Sequence, residues 1–124
     1  MEIRNYTNTA FGTKISKDLQ NKIITDAFKI REKTLPDDVF KKIFILENAT
    51  GENSELVFRE FDGIKYFFLD TKLGSKSFST KVSKSKKINI VSKFLSISPK
   101  DLLDAEINNI KHIMRKSKGN EYAN

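Results

Sequence analysis

No cysteine occurs in these 124 residues. Disulfides, thiolate metal centres and cysteine nucleophiles are thereby excluded, and the composition suits a reducing compartment. Tryptophan is missing too, so ten phenylalanines, together with isoleucine and leucine, must supply the core. The single histidine, His112, has Asn108 and Lys116 one helical turn away instead of ligands, so no metal site is expected and no cofactor is implied. It falls roughly opposite Ile110 on a helix and reads as exposed. No apolar run is long enough to span a bilayer, and Met1 is followed by Glu2 and Arg4. Neither a signal peptide nor a membrane association is expected, and the reading is cytoplasmic.

One further absence is local. Between Asp70 and Asp101 there is no Asp, Glu or Arg, only eight lysines: Lys72, Lys76, Lys81, Lys84, Lys86, Lys87, Lys93 and Lys100. Setting those eight against the formal net charge of +7 leaves −1 for the rest of the chain. The protein therefore reads as one near-neutral domain over residues 1–124 with a Lys/Ser-rich basic segment at 71–100. Such a segment is the electrostatic footprint of an anionic partner.

Leu19, Ile23, Ala27 and Ile30, widened by Ile24 and Phe28, predict an amphipathic helix over 16–33 with Ser16 as N-cap. Pro36 ends it, and Pro36-Asp37-Asp38 opens a short further helical turn. Ile43-Phe44-Ile45-Leu46 reads as a strand. Asp62-Gly63, between ELVFREF and IKYFFLD, predicts a hairpin with a two-residue type I′ turn, because both residues tolerate positive φ. That register sets Phe58 opposite Phe67 and Arg59 opposite Tyr66. It also makes both faces apolar: Leu56, Phe58, Phe67 and Leu69 on one, Val57, Phe61, Ile64, Tyr66 and Phe68 on the other. The second face needs cover, either from residues 78–95 folding back across it or from a homodimer partner.

Phe78, Thr80 and Val82 alternate with polar residues as in a fourth strand, while residues 84–96 fit helix or strand. Ser98, Pro99 and Asp101 form a helix start, Gly119 its stop, and Leu103, Ile107, Ile110 and Met114 the predicted buried stripe. The fold expected is α+β: a three- or four-stranded antiparallel sheet with N-terminal and C-terminal helices packed on one face.

Seven lysines are the candidate binding residues for nucleic acid or an acidic partner: Lys72, Lys76, Lys81, Lys84, Lys86, Lys87 and Lys93. With no arginine among them, contact should be to backbone phosphates and not to base edges. Ser85-Lys86-Lys87 is the only part of the double-stranded RNA-binding pattern present, and the family is not assigned on it. The expected function is non-enzymatic binding of an anionic macromolecule, either nucleic acid or an acidic surface of a nucleic-acid enzyme. A Lys-, Ile-, Asn- and Ser-rich composition suits an AT-rich genome, which extends the expectation by association to a phage or plasmid inhibitor of host defence such as an anti-CRISPR. The enzymatic alternative is a metal-independent ribonuclease of toxin type, with Arg59 and Tyr66 polarising a phosphodiester; no residue supplies an evident base.

Overall fold

The computed structural model describes residues 14–30, 35–83 and 89–123. It is an α+β domain with strands β1 (Lys14–Ile15), β2 (Ser54–Phe61), β3 (Ile64–Leu73) and β4 (Lys76–Lys81), and helices α1 (Lys17–Lys29), α2 (Leu35–Glu47), α3 (Ile90–Leu95) and α4 (Pro99–Ala123). Strands β2, β3 and β4 form an antiparallel meander. The fourth member of the sheet departs from the expected all-antiparallel arrangement: β1 adds at the β2 edge in parallel, Ile15 beside Leu56.

The Asp62-Gly63 turn forms as its dipeptide predicts. Asp62 has φ 52° and Gly63 φ 79°, and the register runs from Ser54 opposite Thr71 to Phe61 opposite Ile64. Positive φ is strained for a side chain even where space is free, and no atom lies within 4 Å of a Cβ placed on Gly63. Gly63→Val is therefore expected to cost about 1–3 kcal/mol through backbone strain alone. Thermal unfolding should show this as a fall in Tm of about 4–12 °C. Gly74, at φ 64°, opens the two-residue turn between β3 and β4, where only this first residue takes positive φ.

Helix α1 starts where the sequence places it, with the Ser16 hydroxyl accepting from the Leu19 amide at 3.1 Å. It ends at Lys29 with Ile30 as C-cap, and Leu19, Ile23 and Ala27 are buried. Phe28, assigned to its apolar stripe, is 65% exposed.

Residues Ile43–Leu46 are not a strand. They are the last turns of α2, a full helix where only a short turn at Pro36 was expected, and Leu35, Val39, Ile43 and Leu46 recur along its buried side. Phe40, Phe44 and Ile45 lie on its exposed side. Of the ambiguous stretch 84–96, residues 84–88 lie outside the described residues. Ile90–Leu95 is helix, capped by Asn89, whose side-chain oxygen accepts from the Val91 and Ser92 amides at 2.8 and 3.2 Å.

Helix α4 opens with a reciprocal capping box: the Asp101 amide donates to the Ser98 hydroxyl at 3.1 Å, and the Ser98 amide to the Asp101 carboxylate at 2.9 Å. It runs past Gly119 to Ala123, beyond the expected stop. Its buried face also differs from the predicted one. Leu102, Ala105, Asn109 and Ile113 point inward, while Leu103, Ile107, Ile110 and Met114 are exposed by 44, 44, 36 and 60%.

The reason is polar. Asn109, fully buried, donates to the Leu69 carbonyl and the Thr71 hydroxyl, both at 2.9 Å, and its oxygen accepts from Thr80. Glu106 accepts from the Gly51 amide at 3.1 Å and the Ser54 hydroxyl at 2.7 Å, and Ser54 in turn meets Thr71 at 2.8 Å. Buried polar groups must be paired, so this chain of bonds fixes the rotation of α4 on β2, β3 and β4 against the pull of its more apolar stripe. His112 is carried inward with it: it is half-buried, stacked on Phe78 at 4.2 Å and 12°, with Nδ1 3.0 Å from the Asn108 carbonyl, and is not the exposed residue expected.

The core lies between these helices and one sheet face, around Leu56, Phe67, Leu69, Val82 and Phe94. Phe94 of α3 meets Phe67 at 6.2 Å, so α3 packs on the same side as α4. Neither β4, which extends the sheet, nor α3 folds across the other face, and that route for covering it is not taken by the described residues.

Candidate nucleic-acid interface

Because side chains alternate along strands, the residues that miss the core line up on the opposite face. There β2 presents Glu55, Val57, Arg59 and Phe61, β3 presents Ile64, Tyr66, Phe68, Asp70 and Lys72, and β4 presents Ser77, Ser79 and Lys81. No described helix packs on this side.

Three aromatic rings cluster at its centre. Phe61 lies 6.1 Å from both Tyr66 and Phe68, edge-on to the latter at 81°, and Tyr66 lies 6.5 Å from Phe68. Tyr66 and Phe68 are half-buried by this mutual packing, and Phe61 is 51% exposed.

Cations lie over two of its rings. The Arg59 guanidinium lies 5.2 Å from the Phe68 centroid, and Lys81 Nζ lies 4.7 Å from that of Tyr66. Arg59 sits opposite Tyr66, as the register predicts, but its side chain reaches on past Phe68 to Asp70 and binds it with both nitrogens, at 3.0 and 2.5 Å. Ser79, opposite Asp70, donates to the same carboxylate at 2.6 Å. The Asp70 hydrogen bond raises the Arg59 pKa above its ordinary value and holds the guanidinium over the Phe68 ring. This fork is a fixed structural pair. It orients Arg59 for cation–π contact and occupies two of its five donors.

The four candidate lysines among the described residues do not form one patch. Lys72 and Lys81 stand exposed on the open sheet face, and Lys76 is exposed at the start of β4. Lys84, Lys86 and Lys87 lie outside the described residues. Lys93 is only 8% exposed: its Nζ donates to the Lys65 carbonyl at 2.9 Å and lies 5.7 Å from the Tyr66 centroid, so it props the hairpin from the side of α3. Lys100, the remaining lysine of the basic segment, pairs with Asp104 at 2.9 Å. The aromatic triad was legible as an apolar face, whereas the placing of cations over its rings depends on side-chain reach that a register cannot give.

A second cationic feature, on the helix side, is a cleft of about 330 Å³ lined by Lys22, Lys29 and Lys65 with Asp26 and Asn89. Lys22 pairs with Asp26 at 3.4 Å and Lys65 with Glu60 at 3.8 Å, which offsets most of its charge. Among the described residues no group of His, Asp or Glu side chains is arranged to hold a metal, and no helix is long and apolar enough to cross a membrane. Comparison of the chain with protein-family models, with curated proteins and with solved structures finds no match.

Proposed function

We propose that the protein is a non-enzymatic nucleic-acid-binding protein that lays a single strand across the open sheet face. The observation that carries this reading is the Phe61–Tyr66–Phe68 cluster, left uncovered by the described helices, with Arg59 and Lys81 at its rings and Lys72 exposed further along β3 on the same face. Exposed aromatic rings offer a stacking surface to unpaired bases of any identity, and lysines beside them follow the phosphates. Duplex offers no base faces to such a platform. The acid-free segment at 71–100 supplies the rest of the positive field, with Lys84, Lys86 and Lys87 entering as sequence neighbours of Lys81. Base preference is weak, since Arg59, the arginine on this face, has its bidentate fork on Asp70.

Fluorescence anisotropy with labelled single-stranded and duplex oligonucleotides of RNA and DNA tests the reading. Single strands should bind more tightly than duplex of the same length. The affinity should fall with salt at a log–log slope of about −2 to −3, corresponding to three to four neutralised phosphates on a single strand. Absence of binding at physiological salt would overturn the reading and leave an acidic protein surface as the anionic partner. Cleavage of the RNA in EDTA would instead support the ribonuclease.

A further inference from the structure

The exposed stripe of α4 repeats at spacings of four, three and four: Leu103, Ile107, Ile110 and Met114. This is the spacing of an a/d seam, and it lies about a third of a turn round the helix from the face that meets the sheet. The large apolar residues of this stripe are kept on the outside of the helix while an asparagine occupies its inside. We infer that α4 pairs antiparallel with α4 of a second copy of this chain, Leu103 meeting Met114 and Ile107 meeting Ile110 about a two-fold axis.

Charge decides both the occupant and the direction. The flank of the seam turned away from the sheet carries Asp104, 59% exposed and paired only with the solvent-exposed Lys100 of its own helix, in its first half and Lys111, also exposed, in its second. Antiparallel pairing sets Asp104 of each copy between the same two layers as Lys111 of the other, so the attraction is made twice by symmetry. Parallel pairing would bring Lys111 to Glu106 instead. Glu106 is not available for this, because its carboxylate is held by the Gly51 amide and the Ser54 hydroxyl of its own domain. It would also set Asp104 opposite Pro99, with no attraction. The seam spans about 16 Å at 1.5 Å per residue, a small interface, so association belongs to the micromolar range. The helix bearing it packs on the covered side of the sheet, so the open aromatic faces of both copies stay free whatever they bind.

Sedimentation equilibrium up to about 0.2 mM protein reads the association directly. The wild type should dimerise, and Ile107→Glu, a change at an exposed position, should leave a monomer with unaltered circular dichroism. Asp104→Lys should weaken the dimer tenfold or more, and adding Lys111→Asp in the same chain should restore it. Because the chain has no cysteine, single introduced thiols report direction without interference. Leu103→Cys and Met114→Cys proteins should cross-link when mixed and not alone. A wild type that stays monomeric at the highest concentration, a dimer that survives Ile107→Glu, or cross-linking of Leu103→Cys with itself would each overturn the proposal.

Discussion

Replacing Tyr66 and Phe68 together by leucine will lower single-strand affinity thirtyfold or more while leaving the fold in place. Base–aromatic stacking contributes about 1–3 kcal/mol per ring removed, so two rings amount to about 2–6 kcal/mol. Leucine is the informative substitution because it keeps an apolar side chain on a half-buried strand position and deletes only the flat π surface. The neighbouring Phe61 would retain an apolar contact, and Arg59 would keep its bidentate bond to Asp70, since that bond does not depend on the ring beneath it. Tm should therefore fall by a few degrees, against a much larger effect on binding. Lys72→Glu with Lys81→Glu gives the complementary result: a weaker complex with a shallower salt slope, because phosphates rather than bases lose their partners. If the leucine variant binds oligonucleotides as the wild type does, the aromatic cluster is packing only and the sheet face is not the interface.

The parts of this fold that were legible in the sequence are those decided over a few residues. Asp62-Gly63 forces its turn locally, and the register of β2 on β3 follows from it without knowledge of anything distant. Ser16 and the Ser98/Asp101 box likewise act within three residues of themselves. Ile43-Phe44-Ile45-Leu46 was misread because four consecutive apolar residues fit either period. Only the longer series Leu35, Val39, Ile43 and Leu46 identifies the helix, and it begins before the run that draws attention.

The buried face of α4 was hidden for a different reason. Ranking faces by hydrophobicity selects Leu103, Ile107, Ile110 and Met114, yet the sheet beneath the helix offers the Leu69 carbonyl and the hydroxyls of Ser54, Thr71 and Thr80, which call for polar partners. Those residues lie tens of positions away, so the demand exists only once the sheet is assembled. The lysine segment shows the same limit. Its charge was evident from composition, but whether a given amine faces solvent or a carbonyl was not: Lys81 ends over Tyr66 in the open, and Lys93 ends buried against the Lys65 carbonyl.

The bond network at Asn109 makes the largest stability effect expected in the molecule, and Asn109→Asp exposes it with a single atom change. The amide nitrogen that donates to Leu69 and Thr71 becomes a carboxylate oxygen facing two acceptors, in a site with no solvent exposure. An unpaired buried charge is worth about 3–5 kcal/mol of destabilisation at neutral pH, a large part of the stability of an ordinary domain. Burial raises the pKa of the introduced acid in the folded state above its value of about 4 in the unfolded chain. Below that unfolded value both states are protonated, and the acid can donate to one of the two acceptors, so the variant differs from wild type only by the other lost bond. As pH rises past it, the unfolded state ionises and the folded state does not, and stability is lost by about 1.4 kcal/mol per pH unit until the folded pKa is reached. Urea unfolding of both proteins at pH 7 and pH 4.5 isolates this, because titrations common to the two cancel in the difference. The gap between them should narrow markedly at pH 4.5. Asn109→Leu, which carries no charge, should be destabilised by about 1–3 kcal/mol through the acceptors it leaves unpaired, and equally at both pH values. A gap for Asn109→Asp that does not change with pH would mean that the carboxylate reaches solvent, and with it that α4 does not sit on the sheet in the rotation described.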